Sequence, residues 1–391
     1  MRIGFKQIVA VMTFGVALMG CSSSDEPKIA ELQPIQEKFT PQVSWESSVD
    51  DGIGEFFSRL SPVIKDDVIY AASREGIVHA YSLKDGDELW DLDVREDTSF
   101  FEDVKSARLS GGLTYAFDKL VVGTENGEVI AIDPKEKKVL WKAEVPGEVN
   151  TPVAAGGGLF YVNTNSGKLL ALHPDAGEKR WEIDFPAPPL SVRGASKPLF
   201  SNGGVLLGTA SGKVTVVIAD KGLQAWEQSI GKRDGATDLE RLADVDASPL
   251  ILGNNLYIVG YNGDLVSLEV NSGRVIWKRD YKSYLNLAGA ENTLFLTNTK
   301  GHIVAVDRRT GTELWTQKQL FNRSLTAPVI LNNYIIVGDF EGYWHWLDKA
   351  SGEIFARKEI DSSGAYIEPI IDNGMLYIQS RDGTLSAVKT Q

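Results

Sequence analysis

Short runs of alternating apolar and polar positions recur along this chain, each framed by a glycine in front and an aromatic residue behind. In residues 301–315, Ile303-Val304-Ala305-Val306 ends at Asp307, the chain turns through Gly311, and a second run leads to Leu314-Trp315. Two apolar runs around a glycine turn predict a pair of antiparallel strands. The same frame holds Gly76/Trp90, Gly127/Trp141, Gly167/Trp181, Gly212/Trp226, Gly263/Trp277 and, one residue shorter, Gly342/Phe355. A second glycine stands ten residues after the first at Gly86, Gly177, Gly222, Gly273, Gly311 and Gly352, and only the Gly127 frame departs, carrying Lys137 there.

A second pair of runs precedes each frame, as in Leu250-Ile251-Leu252 and Leu256-Tyr257-Ile258-Val259 around Asn254-Asn255, or around Asn332-Asn333. Asparagine tolerates positive φ, so these dipeptides predict tight hairpins. Each copy is therefore four strands over roughly 44 residues, a length typical of propeller blades. No long amphipathic helix interrupts the pattern. Gly383 opens an eighth frame that ends without an aromatic residue, while Trp45 has no frame in front of it. The two half-units complete each other. The prediction is an all-β, eight-bladed β-propeller of four-stranded antiparallel blades. Its last blade takes three strands from residues 366–388 and its outermost strand from the N-terminal segment around Trp45.

The propeller occupies residues 40–391. Before it, Arg2 and Lys6 precede a thirteen-residue apolar stretch over 8–20, and then Leu18-Met19-Gly20-Cys21. About twenty apolar residues are needed to span a bilayer as a helix, so 1–20 reads as an export signal. Leu-x-Gly-Cys resembles a bacterial lipobox. That resemblance implies diacylglycerol on the Cys21 thiol, removal of the signal, and residues 21–39 as a lipidated tether; Ser22 resembles the sorting pattern for the outer membrane. An ordinary secreted protein with a chance cysteine is the alternative. Cys21 is the only cysteine, however, and in an oxidising compartment it has no intramolecular disulfide to make.

The formal net charge is −13, and loss of the two basic signal residues makes the mature chain more acidic still. That composition argues against nucleic acid and against anionic headgroups, both of which need clustered Lys and Arg. Membrane contact is expected through the lipid alone.

Ala131-x-Asp133 before Trp141, and Ala305-x-Asp307 before Gly311 and Trp315, resemble the repeat of the pyrroloquinoline quinone enzyme propellers. The motif is specific for this style of propeller and not for quinone chemistry. Lipobox, acidic eight-bladed propeller and nothing else resembles the propeller lipoproteins of the outer-membrane β-barrel assembly (BAM) machinery. The likeness extends outside the repeats, to Gly52-Ile53-Gly54, Leu190-Ser191-Val192-Arg193-Gly194, Arg241-Leu242-Ala243-Asp244-Val245-Asp246 and Glu341-Gly342-Tyr343-Trp344-His345-Trp346. It implies a scaffold rather than an enzyme, docking on the periplasmic POTRA domains of a BamA-like barrel inserter. It further implies Leu190, Val192 and Arg193 in one connector, and Asp244 and Asp246 in another, as the partner-binding residues.

Spacing draws attention to the same places. Trp90 to Trp141 and Trp226 to Trp277 are each 51 residues apart, with the excess in 91–111 and 227–247; a Pro-rich connector spans 185–198. Loops longer than a fold needs are more often functional than structural. If every blade runs outward, all three leave from one face. Leu190 and Val192 alternate and can both point outward as apolar anchors, with Arg193 beside them for a carboxylate. Asp244 and Asp246 can accept from a basic partner or hold Arg193. The blander alternative has Leu190 and Val192 capping the core and the aspartates starting a turn.

Two other functions fit less well. A quinone dehydrogenase would be expected to have neighbouring cysteines against its cofactor, and there is no second cysteine. His79, His173, His302 and His345 are scattered over four blades without metal-ligand spacing, so no cofactor and no metal is expected. Direct chaperoning is the other: unfolded outer-membrane proteins can add as strands to the outer blade edges by backbone pairing.

Overall fold

The computed structural model describes residues 28–96, 105–188, 190, 194–232, 236–237 and 241–390. They form eight four-stranded antiparallel sheets, with no helix among the described residues. Blades 1 to 7 occupy 63–93, 114–144, 154–184, 199–229, 250–279, 288–317 and 329–359. In each the chain enters at a three-residue inner strand and steps outward strand by strand. Blade 8 is assembled from both ends: Ile370–Asp372, Met375–Gln379 and Thr384–Lys389 are completed by Gln42–Ser48, which pairs antiparallel with Thr384–Lys389 and sets Trp45 opposite Ala387.

Burial within a blade follows from this order. Second and third strands are covered on both faces by neighbouring blades and read as near-continuous buried runs, such as Ile69-Tyr70-Ala71-Ala72 and Val129-Ile130-Ala131-Ile132. Outer strands alternate, as in Gln42–Ser48, because one face meets solvent. First and second strands are joined by two-residue turns with positive φ, including Phe117-Asp118, Asn202-Gly203, Asn332 and Asn373-Gly374. In blade 5 the turn is Gly253-Asn254, one residue earlier than the sequence pattern suggests; Asn255 already belongs to the strand.

The Gly-to-Trp frame turns out to be an interlock between blades. Each outer-strand tryptophan donates its indole N–H to a carbonyl in the turn between third and fourth strands of the following blade: Trp45 to Leu83 (3.2 Å), Trp141 to Pro174 (2.9 Å), Trp181 to Ala219 (2.8 Å), Trp226 to Val270 (3.0 Å), Trp277 to Arg308 (3.0 Å) and Trp315 to Lys349 (3.2 Å). The ring then lies on the second glycine of that turn. A Cβ at Gly177 would come 2.6 Å from the Trp141 ring, and one at Gly222 2.7 Å from Trp181. Both glycines also have positive φ, so geometry and space exclude a side chain together. The two exceptions have reasons. Lys137 stands in the turn that follows Trp90; it holds φ 54° itself, and no indole bond to that turn occurs among the described residues. Phe355 faces blade 8, whose third and fourth strands come from opposite chain ends and share no turn to accept an N–H.

Residues 28–39, expected as free tether, are laid along the outside of blade 7 instead. Lys38 N–H donates to Phe355 O (2.8 Å) and Ala30 N–H to Phe321 O (3.0 Å). Arg323 and Arg357 donate to the carbonyls of Ala30 (3.0 Å) and Gln33 (3.1 Å), while Leu32 and Ile35 pack on the core between blades 6 and 7. Both arginines are braced from beneath. Arg323 pairs with buried Asp339 (2.7 Å), which also meets His345 Nε2 (2.9 Å), and Arg357 donates to His345 Nδ1 (3.2 Å). Trp344 and Trp346 are buried in the contact between blades 7 and 8, a packing role.

Candidate functional site

Because every blade runs outward through four antiparallel strands, each connector to the next blade leaves from one face. The second-to-third strand turns share it. The opposite face has two-residue turns and the short third-to-fourth strand turns, six of them gripped by tryptophan. The longest connectors, 94–113 and 230–249, lie on the first face with 185–198.

These connectors are bonded to the blades beneath. In 94–113, Ala107 N–H donates to Glu75 O and Leu109 N–H to Arg74 O, both at 2.9 Å. Arg74 makes a two-pronged, largely buried pair with Glu125 (3.2 and 2.7 Å) beneath the exposed ring of Phe56, 3.7 Å away. In 230–249, Tyr261 N–H donates to Asp244 O (2.8 Å) and Val245 N–H to Thr209 O (3.2 Å).

The Pro-rich connector and 230–249 are joined to each other. Ser196 Oγ donates to Ala247 O (2.9 Å), and one Arg59 nitrogen donates to both Ala195 O (3.2 Å) and Asp246 O (3.4 Å). Gly194 sits so close to Asp246 that a Cβ would fall 2.3 Å from a carboxylate oxygen. Glycine is required there by proximity and not by backbone torsion. Asp246 is 3 % exposed and Asp244 1 %. Burial pushes the Asp246 pKa up to about 6, against the opposing pull of Arg59.

The two aspartates are thus buried beneath the surface, their backbone carbonyls bonded to Tyr261 and Arg59 and the Asp246 carboxylate packed against Gly194. Leu190 is 45 % exposed and caps no core. Val192, Arg193 and Cys21 lie outside the described residues. Arg59 and the Gly194–Asp246 contact had no sequence signal of their own. Arg59 precedes blade 1, about 190 residues from the backbone it holds.

Asp246 and Arg59 also line a cavity of about 840 Å³ at the ring axis, with Lys197, Tyr284, Glu368 and Arg381. Desolvation lowers the Lys197 pKa while Glu368 opposes it. The mouth of the axial channel thus sets these charged groups among apolar ones such as Phe57, Leu113, Leu325 and Ile367, on the face from which the Leu190 connector leaves.

Residues 74–317 and 299–391 match the family described as outer membrane protein assembly factor BamB. Proteins of that name from Shewanella oneidensis and Vibrio cholerae are each 41% identical to this chain, over 98% and 99% of both chains respectively. The Escherichia coli K12 protein is 35% identical over 95% of each. This chain belongs to the BamB family. The crystal structure of BamB from Moraxella catarrhalis superposes with a TM-score of 0.80 at 27% identity, covering 89% of this chain and 99% of that one. A quinohemoprotein alcohol dehydrogenase from Comamonas testosteroni reaches 0.68 at 13% identity, covering 89% and 76%; that likeness is one of fold alone. BamB relatives are named as assembly factors, and membership makes this chain an outer membrane protein assembly factor whose blades carry quinone-enzyme repeats without that name.

Proposed function

We propose that this chain is a non-enzymatic scaffold lipoprotein of the β-barrel assembly machinery. Acyl chains on Cys21 hold it at the periplasmic face of the outer membrane, and its connector face docks on the POTRA domains of a BamA-like inserter. The observation that carries the docking surface is the joining of the two connectors by Gly194, Asp246 and Arg59. An exposed leucine on a segment fixed at its base is the kind of rigid apolar anchor that dominates interfaces. Asp244 and Asp246 act from beneath, holding that segment in shape; Val192 and Arg193 complete the anchor.

Leu190→Glu and Arg193→Glu are each expected to cut co-purification with the barrel inserter at least about tenfold, the loss of one interface hot spot, without changing the melting temperature. Full co-purification of both variants would remove the connector face from consideration.

A second reading has its own observation. Leu89, Leu140, Ile276 and Leu314, each directly before the outer-strand tryptophan, are 49, 38, 42 and 54 % exposed beside unpaired strand edges. Nascent barrel strands could pair there. Photocrosslinkers at these four positions that capture unfolded barrel proteins would favour it; capture only at the connector face would not.

A further inference from the structure

The N-terminal segment along blade 7 decides where the chain leaves the ring. Ala30 N–H bonds to Phe321 O, and Asn322 Nδ2 bonds to Lys28 O at 3.1 Å. The described chain therefore begins at the rim of the connector face, beside the 318–328 connector. Asn322 N–H also donates to Lys300 O (3.0 Å), so Lys28 and Lys300 flank one residue. Lys300 lines a recess of about 430 Å³ on the rim of blade 6 with Lys282, Lys318 and His302. Desolvation first, and then Lys318 and Lys300, lower the His302 pKa.

Lys28, Lys282, Lys300 and Lys318 are exposed, and none forms an ion pair among the described residues. Two acids share the recess with three lysines: Glu313 accepts from Tyr281, which also lines it (3.3 Å), and Asp280 lies 3.7 Å from Lys232 outside it. Ile29, 50 % exposed, stands beside the lysines. On an acidic chain this is a local basic patch with an apolar tip.

We infer that this rim is a contact surface for the anionic phospholipid headgroups of the bilayer in which the chain is anchored. The inference rests on the lipid-anchor reading of Cys21. Six residues lie between Cys21 and Lys28, and the seven steps span at most about 25 Å. The anchor therefore keeps this rim, with its lysines, within reach of the headgroups. Net charge opposes binding of the whole molecule, but screening confines repulsion to roughly 8 Å at physiological salt. The charges nearest the lipid decide the contact: Asp25 and Glu26 lie on the tether itself, and Lys282, Lys300 and Lys318 are what the ring presents at the rim beside it. The ring would stand with its blade 6 rim toward the lipid, while the Leu190 connector, between blades 3 and 4, is carried away from it.

The test is amine acylation of the full-length acylated chain, read residue by residue by mass spectrometry. The chain is held on vesicles of phosphatidylcholine and phosphatidylglycerol, or of phosphatidylcholine alone, neither of which has a primary amine to consume the reagent. Acylation of Lys282, Lys300 and Lys318 is expected to slow about fivefold on the anionic vesicles. Lys135, Lys137 and Lys221, on the opposite face, should not change. Protection should vanish in about 0.5 M salt, and K300E/K318E should remove it at Lys282. Equal reactivity at all six lysines on both vesicles, or equal protection of all six, overturns the inference. Failure of the anchor reading is seen separately, as an unmodified Cys21 by intact mass. The free thiol is then coupled to a maleimide lipid in the same vesicles, and the footprint decides as before.

Discussion

The indole ring of Trp141 lies on the α-carbon of Gly177, a residue of the next blade, and its N–H reaches Pro174 O at 2.9 Å. Glycine and tryptophan recur together because six of the outer-strand tryptophans each lie on a glycine of the blade that follows. Seen this way, the repeat is an interface, and the ring is a chain of such interfaces closed by Trp45 on Leu83 and Gly86.

Gly177→Val should therefore be more costly than an ordinary turn substitution. It combines a left-handed backbone with a clash against a packed ring, and a loss of about 2–4 kcal/mol is expected in urea unfolding. Lys137→Gly tests the opposite case. That position has φ 54° without a tryptophan bonded to its turn, so glycine should stabilise by roughly 1 kcal/mol.

Closure has its own test. Deleting residues 41–47 removes the outer strand of blade 8 and should lower and broaden the thermal transition. Trp45→Phe keeps the ring and loses one hydrogen bond, for about 1 kcal/mol. An unchanged transition in the deletion would show that the pairing with Thr384–Lys389 does not hold the ring.

Asp246 gives a pH dependence of definite sign. Its pKa rises from 3.8 to about 6 on folding, so the folded state binds the proton more tightly. Its contribution is most favourable below 3.8 and is lost as pH rises through 6. Asp246→Asn should therefore stabilise at pH 7.5, by on the order of 2–3 kcal/mol. The gain should shrink between pH 6 and 4 in paired denaturant titrations. If partner docking weakens in the same variant, the carboxylate is retained for function at the expense of stability.

The segment along blade 7 predicts protection from proteolysis. Leu32→Asp with Ile35→Asp removes its apolar hold on the core, and trypsin cleavage after Lys38 should accelerate at least about tenfold. Near-UV circular dichroism of the ring should not change. Equal cleavage rates would mean that the backbone bonds to Phe321 and Phe355 alone keep the segment in place.

The sequence by itself determined the blades: strand periodicity, two-residue turns and the glycine frame are local patterns, set by backbone sterics and by which face of a strand is covered. It also gave the number of copies and the two half-units, from which closure followed. What the glycines and tryptophans do to one another was invisible, because Trp141 meets Gly177 across a blade boundary that spacing does not reveal. The connectors were legible as excess length. Their partners were not, since Arg59 reaches Asp246 only after the ring has closed. Residues 28–39 read as a polar tether, for Leu32 and Ile35 are too few to form a pattern; the groove outside blade 7 and the arginines braced by Asp339 and His345 made them part of the fold. Charge was averaged in the same way. Composition gave an acidic protein, and only the folded chain brought Lys282, Lys300 and Lys318 to one rim beside Lys28, because electrostatics depends on distance in space and not on totals along the chain.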